Sequence, residues 1–428
     1  MSKGKLSMFK NTSYLQSSVT ILLFFTSWGV WWSFFQLWLT STKNGLGLSG
    51  SAVGTIYSAN SVVTLILMFV YGALQDKLQL KRTLLVGCAI LETLIGPFFT
   101  WIYAPLLKHS FVIGIIIGAI FLSAGFLAAS PVFEAFIEKI SRKFDFEYGQ
   151  ARAWGSFGYA LSALLAGFLF VINPKLNFWF GSLFGLFLLL NLLFWKPKQS
   201  SKKHTASVVN NEKSAPTLKE MAGVLKVPQL WLIIIIVMFT WTFYTVFDQQ
   251  MFPEFYTQLF ATPALGQKMY GTLNSIQVFF EAIMMGVVPI IMRKIGVRNT
   301  LLLGMLVMCI RIGGCCLVVD PVGVSLIKML HSLEVPLFCL PIFRYFTLHF
   351  NTKLSATLYM VGFQVAAQVG QVILSTPLGA LRDQIGYSAT FRVIAGIVFL
   401  AAVFAFFVLK KDDQDVEGQP LEREEVIG

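Results

Sequence analysis

The chain has 428 residues, 56% hydrophobic, 15% aromatic and only 13% charged, with a formal net charge of +12. A soluble domain carries about a quarter charged residues, so composition excludes an ordinary soluble enzyme or signalling module. Uncharged runs of about 20 residues, long enough to cross a hydrocarbon core, recur throughout. A β-barrel would show alternating segments of about ten residues instead.

In chain order, "VTILLFFTSWGVWWSFFQLWL" comes first. It follows the polar "MSKGKLSMFKNTSYLQSS" with no small-residue cleavage site, and reads as a retained helix, not a signal peptide. Breaks rich in charge, Pro, Gly or Asn predict twelve spans. They fall near 18–41, 51–74, 84–103, 111–137, 149–172, 176–195, 229–250, 269–291, 300–319, 321–343, 354–378 and 388–409. Between the sixth and seventh lies "KPKQSSKKHTASVVNNEKSAPTLKE", polar and basic, which reads as a flexible linker. The predicted organisation is a six-helix bundle over 1–195, a cytoplasmic linker over 196–226, a second bundle over 227–411 and a cytoplasmic tail over 412–428.

An internal repeat supports that division. "DKLQLKRTLL" (Asp76–Leu85) and "RKIGVRNTLL" (Arg293–Leu302) align without gaps at an offset of 217, each joining the second span of its half to the third. The expected fold class is therefore an all-α polytopic membrane protein of two pseudo-symmetric six-helix bundles, the major facilitator architecture, with substrate sites near the midplane between the halves. Of 33 Lys and Arg, 24 fall on one set of loops and termini. Only six fall on or beside the other (Lys43, Lys108, Lys175, Lys268, Arg382 and, near the start of the last predicted span, Arg392), and three (Arg152, Arg311 and Lys328) lie deeper within spans. This bias predicts both termini in the cytoplasm. The positive balance is thus a topology signal that also suits anionic lipid; no basic patch with interleaved aromatics points to nucleic acid. The five cysteines (Cys88, Cys309, Cys315, Cys316 and Cys339) all fall in apolar spans without metal-ligand spacing, and are expected as free thiols.

An ionisable group inside a span is a functional candidate by default. The candidates are Glu92, Glu134, Arg152, Asp248, Glu281, Arg311, Lys328, His331 and Glu334. Glu134 near the end of the fourth span and Arg152 near the start of the fifth are joined by a loop short enough for the two helices to be antiparallel neighbours. A guanidinium fork and a carboxylate together suit the vicinal hydroxyls of a sugar, with Trp31, Trp32 and Tyr159 as candidate stacking surfaces. A structural salt bridge is the alternative for the pair, and belt or core packing for the tryptophans. In "IKMLHSLEVP", Lys328, His331 and Glu334 spread over about 120° and rise about 9 Å. Lys328 can therefore turn toward Asp248 while His331 and Glu334 address Arg311, one helix serving two separate tasks. A carboxyl in an apolar, sparsely hydrated site can keep a proton at neutral pH, and Glu334 fits that requirement. Glu92 is expected to pair with a neighbouring helix. Asn60, Asn274, Gln277, Gln364 and Gln368 either join helices or line a polar path.

"GALQDKLQLKR" (Gly72–Arg82) resembles the loop signature of the major facilitator superfamily, with Gln79 in place of its second glycine. The resemblance implies a conformational latch at Gly72, Asp76 and Lys77. More specifically, "FEAFIEKISRKFDFEYGQARAWGSFGYA", "FDQQMFPEFY", "IRIGG" and "IKMLHSLEVP" resemble the oligosaccharide:proton symporters, the group that contains lactose permease and sucrose permease. That resemblance implies a proton-coupled disaccharide importer working by alternating access, with no enzymatic activity and no cofactor beyond the co-transported proton. It makes Glu134, Arg152, Tyr159, Glu281 and His331 substrate-binding. Glu334, His331 and Arg311 become the proton-coupling group, and Asp248 with Lys328 a helix-bridging ion pair. Tyr159 stands where the lactose branch has a stacking tryptophan. Thr245 and Ala367 replace a second Asp–Lys pair, and the carboxylate of the eighth span is shifted from Val278 to Glu281. These departures look more like the sucrose branch, so sucrose is the expected substrate, ahead of lactose, melibiose or raffinose. Cation-coupled or uncoupled sugar transport is the rival on the same scaffold. No HExxH, GxSxG or paired-Asp motif supports an intramembrane enzyme. The expected partners are the disaccharide, the proton and the lipid bilayer of a bacterial cytoplasmic membrane. A regulatory protein at the cytoplasmic face is admitted, nucleic acid is not, and the chain is expected to be a monomer.

Overall fold

The computed structural model describes residues 11–78, 82–144, 146–195, 221, 223–350 and 354–412. The expected linker at 196–220, the tail from 413 and the side chains of Asp76 and Lys77 lie outside the described residues.

Ten helices among the described residues are long and apolar enough to cross a membrane, and a bent pair makes an eleventh. The longest, Thr357–Val408, is broken at Gly386, whose φ of 77° no L-residue adopts readily, and so contains two spans. In chain order these are α1 (Thr12–Thr40), α2 (Gly50–Leu74), the bent α3 (Thr83–Thr93 with Ile95–His109), α4 (Phe111–Phe144), α5 (Tyr148–Ile172) and α6 (Lys175–Phe194). They continue as α7 (Pro228–Gln258), α8 (Pro263–Ile295), α9 (Val297–Leu317), α10 (Pro321–His349), α11 (357–385) and α12 (387–408). This is the all-helical architecture read from the sequence.

Local chemistry sets the boundaries. Asn11 caps α1 by accepting from Ser13 N and Tyr14 N at 3.0 and 3.3 Å. Pro228, Pro263 and Pro321 sit in first turns, where a missing N–H costs nothing. Thr262 and Asp320 cap the second and third of these. Several helices run past the apolar stretch: α4 extends to Phe144 through Glu138, Lys139, Arg142 and Lys143, seven residues beyond the expected end. Hydropathy marks the part of a helix in hydrocarbon, not where hydrogen bonding stops. Large side chains such as Ile113, Ile116, Leu317, Leu326, Phe399 and Phe407 stay exposed, as lipid-facing residues must.

Two compact units emerge. The first holds α1 to Trp38, α2 from Val62 and α3–α6. Its core gathers Phe24, Phe25, Phe133, Ile137, Ala151 and Leu188. Helices α1 and α5 approach closely because Gly155 and Gly158 present no side chain: a Cβ at Gly158 would lie 2.7 Å from Leu22 O. The second unit holds α7–α12 together with Leu39–Thr42 and Gly47–Ser61, so the first turns of α2 belong to it by contact. There Asp383 accepts from Gly50 N and Ser51 N at 2.7 and 2.8 Å, a side-chain cap on the α2 N-terminus. A boundary inside α2 is not one that a linker-based reading anticipates.

Each repeat segment supplies a cation to the end of its own unit, one position apart in the alignment, where Arg82 matches Asn299 and Lys81 matches Arg298. Arg82, at the start of α3, donates to Leu192 O and Trp195 O at 3.1 and 2.6 Å and so closes the end of α6. Arg298, at the start of α9, donates to Leu409 O at 3.0 Å and to Phe406 O, closing the end of α12. In both units a cation after the second span meets the exposed carbonyls and negative dipole end of the sixth.

Candidate functional site

In the first unit, Glu134 on α4 and Arg152 on α5 form an ion pair, Nε to Oε1 at 2.7 Å. The guanidinium lies over the Phe25 ring at 4.3 Å from its centroid, and Nη1 donates to Ser156 Oγ at 3.3 Å. The arginine and glutamate side chains remain 30% and 33% exposed, so donors and acceptors stay available to a ligand, which a sealed structural bridge would not allow. Arg152, Ser156 and Tyr159 occupy positions i, i+4 and i+7 of α5, one helical face. Tyr159 packs on Gly29 of α1, where a Cβ would lie 2.9 Å from the tyrosine ring.

Of the tryptophans expected as stacking surfaces, Trp31 differs from Tyr159, while Trp32 is half-buried as Tyr159 is. Trp31 is fully buried among Phe35, Phe99 and Phe126, so it is core. Trp32 stacks on Phe35 at 5.4 Å. Sequence reasoning missed Phe25 and Ser156. Ser156 carried a usable signal, its i+4 spacing from Arg152; Phe25 lies on another helix and carried none.

In the second unit, Asp248 sits on a π turn of α7, Phe247–Met251, the kind of irregular turn that recurs at functional positions. Its Oδ1 accepts from Lys328 Nζ, from Arg311 Nη1 at 3.0 Å and faces His331 Nδ1 at 3.2 Å. Arg311, on α9, also grips Glu334 of α10 through Nε to Oε2 and Nη2 to Oε1, a two-pronged ion pair with both side chains fully buried. The close packing of α9 on α10 that permits this depends on Gly304, where a Cβ would lie 2.7 Å from Leu337 O. The guanidinium lies 4.9 Å from the Phe247 centroid, and Lys328 Nζ 4.8 Å from that of Phe252, so aromatic faces replace water around both cations.

His331 joins the cluster at both ring nitrogens. With Nδ1–H directed at Asp248, Nε2 accepts from the Tyr244 hydroxyl at 3.1 Å. Glu281 Oε2 lies 3.8 Å from the same Nε2 and accepts from Gln277 Nε2 at 2.8 Å. Two carboxylates and two cations balance while His331 is neutral, with Glu281, 23% exposed, the additional acid at the margin. The division into a separate Asp248–Lys328 pair and a coupling group is therefore not the geometry found: one Asp248 oxygen serves Lys328, Arg311 and His331 together. Helical angles on α10 alone could not show that three helices converge on that oxygen.

At the positions of the missing second ion pair, Thr245 Oγ1 donates to Trp241 O of its own helix at 2.8 Å, and Ala367 is buried. Gly370 meets Thr242 where a Cβ would be 2.2 Å from the hydroxyl oxygen, so α7 and α11 pack there without charge. Gly72 lies on α2, half-buried. Glu92, expected to pair with a neighbouring helix, is fully buried and neither carboxyl oxygen has a hydrogen-bond partner.

Residues 6–420 match the family of LacY proton/sugar symporters. The chain belongs to that family. It is 42% identical to the sucrose permease of Escherichia coli over 415 residues, 96% of this chain and 98% of that protein. It is 34% identical to the raffinose permease of Escherichia coli, over 97% and 98% of the two chains. Among solved structures, the nucleoside transporter NupG superposes with a TM-score of 0.76 at 14% identity, over 93% of this chain and 99% of that one, which shows the fold alone. Members of the LacY proton/sugar symporter family are cofactor-free carriers, not enzymes, and the protein is a multi-pass membrane transporter of this type.

Proposed function

We propose that the protein imports sucrose together with a proton by alternating access, across a bacterial cytoplasmic membrane with both termini in the cytoplasm. The observation that carries the choice of sugar is the identity of 42% to a sucrose permease against 34% to a raffinose permease, over nearly the same lengths. Tyr159 in the stacking position and the absence of charge at Thr245 and Ala367 support the same branch. The excess of Lys and Arg on one set of loops supports the orientation.

In this reading Arg152 presents its planar fork to sugar oxygens while Glu134 accepts from neighbouring hydroxyls, and Tyr159 supplies an apolar face to the ring. Glu281 and His331 are further sugar contacts, Gln277 holding the carboxylate of the first. Glu334 carries the transported proton. When it is protonated, Arg311 keeps Asp248 as its anionic partner; when it is deprotonated, Arg311 binds it two-pronged. Coupling arises because sugar prefers the protonated form, a ligand shifting an equilibrium only by its differential affinity.

The test is labelled uptake in transport-null cells, with sucrose compared against lactose, melibiose and raffinose. Uptake strongest for sucrose, with alkalinisation of a weakly buffered, sodium-free suspension, is the expected result. Preference for a galactoside overturns the substrate, and uptake without any pH change overturns proton coupling.

A further inference from the structure

Glu92 lies in the last turn before the bend of α3, fully buried, and among the described residues neither carboxyl oxygen has a hydrogen-bond partner. Its polar neighbours are few. Ser27 on α1 faces it, but the Ser27 hydroxyl hydrogen goes to Gly181 O of α6 at 2.9 Å. Cys88 lies one turn back on α3, and beyond it Tyr71 of α2, whose hydroxyl donates to Ala124 O of α4 at 2.7 Å. Helix α6 presents Ser182 and Gly185. The titratable group facing Glu92 is thus the Cys88 thiol, with the Tyr71 phenol behind it, and no cation acts on Glu92 among the described residues. An unpaired carboxylate enclosed in this way is far costlier than a neutral acid.

The position is also mechanical. Pro97 supplies no N–H and crowds the carbonyl four residues back, and α3 turns by 44° between its two segments. The Gly96 N–H, whose helical acceptor would be the Glu92 carbonyl, donates to Ser182 Oγ of α6 at 2.8 Å. A Cβ at Gly185 would lie 2.6 Å from the Glu92 carbonyl carbon, so α6 rests directly on this turn. The backbone of Glu92 is clasped by α6 while its side chain is fully buried beside Ser27 of α1.

We propose that Glu92 is a second proton-binding site of the transporter, in the first unit, occupied in the packing described here and emptied only when the α3 bend loosens from α6. Proton binding and close packing are then reciprocally linked. The packed state holds one proton more than an opened or unfolded one, in which a glutamate titrates near 4.3. Its advantage is complete at low pH and falls as pH rises, by up to tenfold in the equilibrium per pH unit. The proposal does not rest on Glu334 being the coupling carboxyl.

Infrared spectra of the intact purified protein at pH 7 test it, comparing the parent with E92Q, E334Q and the double variant. A protonated-carboxyl C=O band that vanishes in E92Q and survives in E334Q is expected. Alongside it, the melting temperature of the parent should fall between pH 6 and 9 and that of E92Q should fall less. An E92Q spectrum identical to the parent's, or an E334Q spectrum with no protonated-carboxyl signal, overturns the proposal and leaves Glu334 unaffected. If the glutamine variant does not fold, E92M, similar in length and apolar, provides the same comparison.

Discussion

At the scale of single residues, the two charged clusters make different demands on substitution. Arg152→Lys keeps the charge and loses the fork, so sugar binding should weaken by about 1.5–3 kcal/mol, roughly 10- to 150-fold in half-saturation; zero-trans uptake kinetics measure it. Phe25→Leu removes only the aromatic face under the guanidinium and should cost about 0.5–1 kcal/mol, roughly two- to fivefold, in the same assay. Glu334→Gln should abolish accumulation against a gradient yet spare exchange of labelled for unlabelled sugar in vesicles; persistent accumulation would refute its assignment. For the shared Asp248 oxygen, charge arithmetic makes the prediction. Asp248→Asn strands a buried cation and should cost about 3–5 kcal/mol, whereas Asp248→Asn with Lys328→Gln restores balance and should recover much of the lost melting temperature and expression. The ionisable residues themselves were legible in the sequence because charge is rare inside apolar runs. Their grouping was not: that Lys328 and Arg311 share one oxygen depends on how three helices converge, and spacing along one chain does not encode it.

At the scale of elements, sequence located the spans well and their ends poorly. The α11–α12 boundary shows why. A loop over about 379–387 was expected there, from the polar "RDQ" and the glycine, yet Asp383 and Gln384 remain helical and Gly386 alone turns the chain, at φ 77° and ψ 176°. That region of backbone space is essentially reserved for glycine. Gly386→Ala should therefore lower stability by about 1–3 kcal/mol, readable as a lower melting temperature, although nothing lies within 4 Å of its added methyl group. The α3 bend escaped notice for the opposite reason: Pro97 was visible, but an apolar run across it reads as one span. For Trp31 the sequence left stacking surface and core packing both open, since an aromatic on a membrane helix looks the same whether it faces a cavity or a core; it is core.

At the scale of the whole molecule, the fold was the most legible feature, because twelve apolar runs, a polar linker and a repeat at half-length leave little choice of architecture. Each unit also closes its sixth helix with a cation from the start of its third. Arg82 and Arg298 each hold the carbonyl end of the sixth helix of their own unit and share no partner. Replacing either by Ala should lower stability by about 1 kcal/mol, and the double replacement should be additive in thermal melts. A deviation from additivity would mean that the two units do not unfold independently of each other's end caps.

The charge balance around Asp248 has an electrical consequence. Whatever the state of Glu281 at its margin, adding a proton to Glu334 makes the group of Arg311, Lys328, Asp248 and Glu334 more positive by one charge. Neutral sugar does nothing to cancel it. A membrane potential, inside negative, therefore acts differently on the loaded and the empty carrier, by up to about 2.3 kcal/mol per 100 mV if the whole field is crossed. On the reading that Glu334 carries the proton, voltage would thus favour the inward movement of sugar and its proton over one transport cycle, and the electrical gradient would add to the proton gradient in driving accumulation.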